Sequence, residues 1–347
     1  MKIAATVLLG PECGPKLKEA FDSVRELVDG FVCIESGGGM RAREAAVEAA
    51  GELFDPGIGF AWSGDYGAAR QHALNQAKRL GYDWAVTLDP DERVHLGATA
   101  LVRAALADYP DISVWEAKHD TEGYSKERII SCHVPGQWVG RSCEYYDHVE
   151  GKVGGMGTFS ELPHPPGHMK DRFLRGLDNM RIEMAQDPDN PRWVRHLAAC
   201  YSGLGMVDDA LFHMGRALTM FREQGLLEHA SWANFQIAEL HVGRAELDEA
   251  FDHASKGMAM HAGLMPEHGS ILAYVEYRRS FDEKVDKAIR REHLQNAGRW
   301  AQLVLACPED RTRRFFKSPH CRQNAADIFH AIYPERTVPV AFERAAE

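Results

Sequence analysis

Short apolar segments alternate with segments of helical spacing over residues 2–88 of the chain. The apolar segments are KIAATVLLG, GFVCIE and WAVTL, and each has the length of a β-strand rather than of a helix. Between them lie LKEAFDSVREL, RAREAAVEAAGELF and DYGAARQHALNQAKRLG, which show helical patterns. This alternation predicts an α/β domain with a mostly parallel, Rossmann-like sheet.

The third helical segment carries signals for both of its ends. Ser63 or Asp65 is suited to cap its N-terminus, and Gly81 is suited to end it. One helical stripe is formed by Ala69, Ala73, Ala77 and Leu80. We therefore expect this helix to pack its alanine stripe against the sheet.

The strand WAVTL runs directly into an acidic cluster that contains a proline, Asp89-Pro90-Asp91-Glu92. Proline cannot continue a central ladder, so the strand ends there and the acids emerge at its carboxyl end. Ligands bind at that end of the strands in open α/β sheets. The cluster therefore predicts a ligand site, with a proline-containing surface turn as the alternative.

Length and composition are those of a soluble protein with two domains. The chain has 347 residues, and 45% of them are hydrophobic. No apolar run approaches the roughly 20 residues of a membrane span, and MKIAATVLLGPECG is too short for a signal peptide. Seven scattered cysteines without a CxxC pattern favour reduced thiols, so we expect a cytoplasmic protein.

The charge is negative overall but unevenly distributed. A net charge of −11 argues against a general nucleic-acid binder. Residues 278–322 nevertheless contain 12 Lys and Arg against 6 Asp and Glu, and include the run RTRRFFKSPHCR. This basic segment is either a patch for an anionic partner or a solvated helical face.

The second half of the chain reads as helical repeats. It follows the junction LPHPPGH, so we expect domains at residues 1–168 and 169–347. NPRWVRHLAACYSGLGMVDDALFHMGRAL and NFQIAELHVGRAELDEAFDHASKGM share the spacing of small and large residues seen in tetratricopeptide repeats. Ala210 and Ala250 are 40 positions apart, more than the consensus period of about 34 residues, so we expect a loop near REQGLLE to absorb the difference. A weaker third unit is expected at residues 271–291. Such repeats present a concave binding or dimerisation surface, and a helical bundle is the alternative.

The run FAWSGDYGAARQHALNQAKRLGYDWAVTLDPDE, followed by WVGRSCE and LPHPPGH, resembles the family 2 glycosyltransferases of the GT-A fold. It is most similar to the bacterial and phage subgroup in which tetratricopeptide repeats follow that domain. The likeness extends over residues 1 to about 280. It implies a GT-A domain followed by an all-α repeat domain.

Three departures from the family pattern concern the site. The Asn-Glu pair that the family carries after its first strand is replaced by LLGPECGPKL. In ESGGGM, Glu35 takes the position of the family's first acid and Met40 replaces the second. Cys143 stands where the family has a histidine. The identity of the donor nucleotide is therefore less constrained than the fold.

The resemblance implies a DxD motif at Asp89 and Asp91 that binds a nucleotide-sugar donor, with one acid near the ribose and the other on a metal ion. Mn²⁺ or Mg²⁺ suits such oxygen ligands and neutralises a departing diphosphate. His164 matches a histidine that completes the metal site in the family, and a structural role is the alternative. We expect Asp91 to serve catalysis through the metal.

Further site residues are expected around this motif. Leu8, Glu35, Asp65 and Arg70 are placed at the nucleotide-sugar, with Arg70 steadying a phosphate or pairing with an acid of the cluster. Glu144 is the candidate general base, and Asp147 and Glu150 are competitors. Trp138 forms an acceptor wall or belongs to the core.

The sequence thus indicates a metal-dependent, inverting glycosyltransferase that uses a nucleotide-sugar, with UDP-hexose as the leading donor. Its acceptor is expected to be macromolecular, either a protein or peptide or a modified DNA base, since Phe315 and Phe316 interleave with cations in the basic segment. The repeats would recruit the acceptor or form a homodimer. The alternative is a non-catalytic repeat scaffold whose transferase domain has degenerated.

Overall fold

The computed structural model describes residues 1–11, 13–14, 16–121, 124–147, 152–163, 167–261, 265–307, 318 and 320–336. The chain divides into two compact units, Met1–Pro166 and Gly167–Glu347. Within the described ranges, no helix combines the length and the apolarity needed to cross a membrane.

The first unit is an α/β domain built around one large mixed sheet. Its elements are β1 (Ile3–Leu9), α1 (Leu17–Val24), β2 (Gly30–Glu35), α2 (Gly39–Ala50), β3 (Phe54–Pro56), α3 (Tyr66–Arg79), β4 (Trp84–Leu88), β5 (Glu92–His95), α4 (Thr99–Asp108), β6 (Ile112–His119), β7 (Ser125–Ser131), β8 (Gln137–Val139), β9 (Tyr145–Asp147) and β10 (Lys152–Glu161). The order in the sheet is β3-β2-β1-β4-β7-β6-β10-β5, and β8 pairs with β9 in a separate ribbon.

Parallel pairing dominates the part of the sheet that the sequence predicted. β3, β2, β1 and β4 are parallel neighbours, as are β6 and β10. Antiparallel pairs join β4 to β7, β7 to β6 and β10 to β5. The prediction of an α/β fold with a mostly parallel sheet is confirmed, and antiparallel strands complete the sheet.

The two faces of the sheet are covered by different helices. Because side chains alternate along a strand, the odd-numbered residues from Ile3 to Leu9 pack with α1 and α2, whereas Ala4 packs with α3. Asp65 caps α3 by accepting a hydrogen bond from the Ala68 amide, so it is the capping residue of the predicted pair. The helix ends before Gly81, whose φ of 80° favours glycine.

The second unit consists of helices. They are α5 (His168–Gln186), α6 (Pro191–Gly203), α7 (Val207–Glu223), α8 (Leu227–Gly243), α9 (Leu247–Met260), α10 (Met265–Arg279), α11 (Lys287–Ala306) and α12 (His320–Ile332). Successive helices pack on one another from α5 to α12, and α6–α7, α8–α9 and α10–α11 form the repeated pairs. The prediction of a helical repeat region is confirmed.

Two details of the repeats differ from the sequence prediction. Only residues 224–226 separate α7 from α8. The prediction that a loop near REQGLLE absorbs the extra residues is therefore wrong. The additional residues lie in the helices α7 and α8, each of which has 17 residues. The third pair is also longer than expected, because α10 begins at Met265 and α11 continues to Ala306.

Gly257 is fixed by the packing between α9 and α10. A Cβ atom at this position would lie 2.1 Å from the Cε1 atom of His268, whose side chain is completely buried. His268 in turn lies 3.0 Å from the Ser231 hydroxyl, which donates a hydrogen bond to the Gly257 carbonyl oxygen. The imidazole therefore occupies the volume that a larger residue at 257 would need.

We expect Gly257→Ala to lower the free energy of unfolding by about 1–3 kcal/mol, because the added methyl group overpacks the contact with His268. Gly215→Ala is the matched control, since it lies inside α7 and a Cβ atom there meets nothing within 4 Å. That control should stabilise the protein by about 0.5–1 kcal/mol through helix propensity. Calorimetric melting of both variants measures the difference, and equal effects of the two substitutions would contradict the packing described.

Candidate functional site

A buried arginine joins two carboxylates at the carboxyl end of β4. Arg70 on α3 donates from Nη2 to both carboxylate oxygens of Asp89, at 2.7 and 2.9 Å. Its Nε donates to the Oε1 atom of Glu144, also at 2.7 Å. The side chains of Arg70, Asp89 and Glu144 are 9%, 21% and 17% exposed. We call these three residues the Arg70 cluster.

Charge complementarity fixes the ionisation of Arg70 and Asp89. Burial by itself would raise the pKa of Asp89, but the attraction of Arg70, with Lys126 and Arg128 behind it, holds that pKa well below its usual range. Burial would lower the pKa of Arg70, and Asp89 and Glu144 raise it instead. Arg70 and Asp89 therefore form an ion pair at neutral pH.

Trp138 supports the arginine from the side. The Arg70 guanidinium carbon lies 5.5 Å from the centre of the indole ring, within the range of a cation–π contact. Trp138 is 9% exposed and packs edge-on against Tyr146 with ring centres 5.7 Å apart. This burial favours the core role over the acceptor wall.

A second ionic network, centred on Glu92, holds the acidic loop of residues 89–92 in place. Glu92 accepts at Oε1 from Arg128 Nη2 at 2.6 Å and from Lys126 Nζ at 3.0 Å. Glu92 and Arg128 are each 1% exposed, and Arg128 also donates to the Thr87 carbonyl oxygen. The Asp89 amide approaches Glu92 Oε2 at 3.4 Å. This Glu92 network ties the end of β4 to β7.

Asp91 lies on the same loop, between Asp89 and Glu92 in the sequence. Its side chain is partly buried, and its carbonyl oxygen accepts a hydrogen bond of 2.8 Å from the Leu162 amide. The loop is thereby tied to the start of the LPHPPGH junction. His164 and Glu150, two of the predicted site residues, lie outside the described residues.

The predicted nucleotide end of the site lies on neighbouring strands. Leu8 of β1 is partly buried and pairs in register with Ile34, one residue before the exposed Glu35 at the end of β2. The following loop is pressed against β1, since the Ser36 and Gly38 amides both donate to the Leu9 carbonyl oxygen. A Cβ atom on Gly38 would lie 2.6 Å from that oxygen, so only glycine fits there.

Asp65 is positioned by its role as the N-cap of α3. Besides its hydrogen bond from Ala68, its carboxylate lies 3.5 Å from Arg141. Next to it, the Gly67 amide donates to the Gly140 carbonyl oxygen, and a Cβ atom on Gly67 would approach that oxygen to 2.6 Å. The motif WVGRSCE therefore packs against the start of α3. This packing places Glu144 within hydrogen-bond distance of Arg70.

Sequence reasoning missed part of the site. It identified Arg70, Asp89 and Glu144, which the structure brings together, but gave no role to Lys126, Arg128 or Gly67. The sequence did contain a signal, which was Arg128 inside the β7 segment KERIIS. A cation that is buried in a strand needs an acidic partner nearby. Asp147, an alternative to Glu144 as the general base, is among the described residues. It lies at the end of β9 and is partly buried.

The donor chemistry of the site fits a hard divalent cation. Asp89 and Asp91 offer carboxylate oxygens, the ligands that Mg²⁺ and Mn²⁺ prefer. Both carboxylate oxygens of Asp89 accept hydrogen bonds from Arg70. Among the described residues, no group of three or more His, Cys, Asp and Glu side chains is arranged to hold a metal ion.

Comparisons with known proteins found similarity at the level of solved structures. No protein-family model matches the chain, and no curated protein matches it. The structure of S. aureus TarS 1–349 in complex with UDP-GlcNAc is 12% identical, with a TM-score of 0.39, and the match covers 73% of this chain and 89% of that one.

Two further solved structures each match about half of the chain. Glucosyl-3-phosphoglycerate synthase from Mycobacterium tuberculosis, in complex with Mn²⁺ and UDP-glucose, is 12% identical with a TM-score of 0.35, over 50% of this chain and 77% of that one. A putative kinesin light chain with TPR-like repeats from Podosopora anserina is 12% identical with a TM-score of 0.35, over 48% and 79%. We therefore infer the function from the residues of this chain.

We expect Arg70→Met to lower the free energy of unfolding by about 3–5 kcal/mol, because it leaves two carboxylates partly buried without their cation. Arg79→Met is the matched control on the exposed face of the same helix, where a loss below about 1 kcal/mol is expected. Urea unfolding of the three proteins gives the comparison. A loss for Arg70→Met no larger than that of the control would contradict the role of the cluster.

The loss of stability caused by Arg70→Met should depend on pH. The folded-state pKa of Asp89 is lowered, so its contribution to stability is fully present above the ordinary aspartate pKa of about 3.9. That contribution is lost as the pH falls below this value toward the lowered pKa. The difference in stability between wild type and Arg70→Met should therefore narrow below about pH 4. A difference that stayed constant down to pH 2 would count against an ionised Asp89.

Proposed function

We propose that the chain is a nucleotide-sugar-dependent glycosyltransferase with a UDP-sugar as the favoured donor. The observation that carries this proposal is the Arg70 cluster beside Asp91, at the carboxyl ends of parallel strands. Two carboxyl groups held in place by one arginine lie at the end of the sheet where ligands bind in such folds.

The donor would extend across three neighbouring strands. Leu8 and Glu35 at the ends of β1 and β2 would contact the base and ribose, and Asp89 lies beyond β1 at the end of β4. Since neighbouring strands are about 4.8 Å apart, the ends of β2 and β4 are separated by roughly 10 Å. A nucleoside diphosphate spans that distance.

Asp91 would be the main ligand of a divalent cation, with Asp89 beside it and His164 as a further candidate. Such a cation, when bound, neutralises the charge that develops on the departing diphosphate. Arg70 would hold the two acids in place, because Asp89 and Glu144 both accept hydrogen bonds from it. Asp89, held by that arginine, would orient the ribose.

Glu144 would act as the general base of an inverting transfer. The acceptor hydroxyl oxygen bonds to the anomeric carbon, its proton passes to the carboxylate, and the bond to the diphosphate breaks with the electron pair leaving on the phosphate oxygen. Arg70 orients Glu144 through Oε1. Asp147 is the alternative base, and a role for Trp138 at the acceptor would require it to become more exposed than its 9%.

The acceptor would be macromolecular and recruited by the helical repeats. A peptide acceptor is favoured over a modified DNA base by the net charge of −11. Most of the basic segment RTRRFFKSPHCR, which motivated the DNA alternative, lies outside the described residues. A homodimer through the repeats stays a prediction.

We expect UDP to bind the purified chain in the presence of Mn²⁺ and to lose its binding when EDTA is added. Asp91→Asn should weaken that binding at least tenfold, since it removes the main carboxylate ligand of the metal. Asp108→Asn, an exposed substitution of the same kind at the end of α4, should leave binding unchanged. Isothermal titration of UDP, GDP and dTDP measures both. If none of the three binds under any condition, the proposed function is wrong.

We expect Glu144→Gln to reduce turnover at least a hundredfold while nucleotide binding is retained, because glutamine keeps the contact with Arg70 but cannot accept the proton. Release of UDP from a UDP-sugar with water as acceptor provides the assay. Asp147→Asn is the parallel variant. A loss confined to Asp147→Asn would transfer the role of base to that residue.

A further inference from the structure

Lys126 lies near the amino end of β7, beside the proposed donor site, and the reaction proposed above gives it no role. Its strand is the neighbour of β4 in the sheet and runs antiparallel to it, with Val86 paired to Ile129. The residue numbers on β7 therefore fall toward the carboxyl end of β4. Three residues further along each strand, this register brings Lys126 near the level of Asp89.

Lys126 is held by carboxylates of two other strands. Its Nζ donates to Oε1 of Glu92 on β5 at 3.0 Å and to Oε1 of Glu161 on β10 at 3.5 Å. The same ammonium lies 5.1 Å from the centre of the Phe159 ring and 5.9 Å from that of the Tyr124 ring. Together these contacts fix the position of the ammonium group.

The contact with Glu92 links Lys126 to the acidic loop. The second carboxylate oxygen of Glu92 lies 3.4 Å from the amide nitrogen of Asp89. Burial raises the pKa of Asp89, and the charges of Arg70 and then Lys126 lower it. Lys126 is therefore close to the acids at the end of β4, where the donor is proposed to bind.

The ammonium group retains a hydrogen-bond donor for a ligand. It has three N–H groups, and the described residues supply two acceptors for them, Glu92 and Glu161. The side chain of Lys126 is 33% exposed, whereas Glu92 and Arg128 beside it are each 1% exposed. A ligand can therefore reach Lys126 while the pair beneath it stays covered.

The charge of Lys126 is already balanced. Among the described residues, the ion pairs of this network join two cations, Lys126 and Arg128, to two acids, Glu92 and Glu161. An additional anion would meet both carboxylates with no unmatched cation to offset them. The position beside Lys126 thus suits an uncharged polar group, such as a hydroxyl.

The order of the strands gives the place of this group within the donor. The proposed donor extends from β2 across β1 to β4, with its base at β2 and its diphosphate at β4. Its sugar is attached beyond the diphosphate, and the strand beyond β4 is β7. Neighbouring strands are about 4.8 Å apart, so one hexose ring would span the step from Asp89 to Lys126.

We propose that Lys126 selects the transferred sugar by donating a hydrogen bond to a hydroxyl oxygen of an uncharged hexose. This inference rests on the proposed function, because it requires a nucleotide-sugar bound at Asp89 and Asp91. It adds the class of sugar and a residue that contacts it. The competing explanation is a purely structural role, in which Lys126 only holds the acidic loop.

The test is isothermal titration in the presence of Mn²⁺. The ligands are UDP, UDP-glucose, UDP-galactose, UDP-N-acetylglucosamine and UDP-glucuronic acid, and the proteins are wild type, Lys126→Met and Lys152→Met. The control variant removes an exposed lysine, paired with Asp111, from the amino end of β10. Circular dichroism melting verifies that each variant is folded.

We expect Lys126→Met to weaken binding of the preferred uncharged UDP-hexose at least tenfold, while UDP binding stays within about twofold of wild type, because the lost hydrogen bond goes to the sugar. Lys152→Met should change neither affinity. A structural role would weaken UDP and the UDP-hexose alike, and that result would overturn the proposal. An unchanged UDP-hexose affinity in Lys126→Met would overturn it too, as would tighter binding of UDP-glucuronic acid than of every uncharged hexose donor.

A second readout needs no variant. An amine-acetylating reagent modifies exposed lysines, and mass spectrometry measures its rate at Lys126 in the wild type. The UDP-hexose with Mn²⁺ should slow that modification more than UDP with Mn²⁺ does, and neither ligand should protect Lys152. Equal protection of Lys126 by the two ligands would count against a sugar contact. If the wild type binds no nucleotide, the proposed function itself is wrong, whereas UDP binding without any effect of the sugar at Lys126 refutes this inference alone.

Discussion

The structure of the proposed site depends on one buried guanidinium group. Arg70 lies between Asp89 and Glu144, which are 19 and 74 positions away in the sequence, so one cation joins α3, the end of β4 and the approach to β9. Each charge alone would be costly to bury, and together they compensate one another. Behind them, Glu92 and Arg128 form a second buried pair that ties the same loop to β7. The acidic loop is thus held from both sides, which is the rigidity that a site for a charged ligand requires.

The parts of the fold that local patterns determine could be read from the sequence. The strands β1, β2 and β4 are short apolar runs, the cap at Asp65 is a local hydrogen bond, and the repeats follow from their spacing of small residues. The Glu92 network could not be read in this way, because its partners approach only when β7 pairs antiparallel with β4. The length of the repeats was also misjudged, since helices of 17 residues and a three-residue turn satisfy the same period as shorter helices and a loop.

The most direct test of the proposed donor site is a crystal structure of the chain with UDP and Mn²⁺. We expect the diphosphate at the carboxyl end of β4 with the metal on Asp91, the uridine toward Leu8 and Glu35, and the hydrogen bonds from Arg70 to Asp89 and Glu144 unchanged. A nucleotide bound elsewhere, or one whose binding required Arg70 to leave Asp89, would contradict this site.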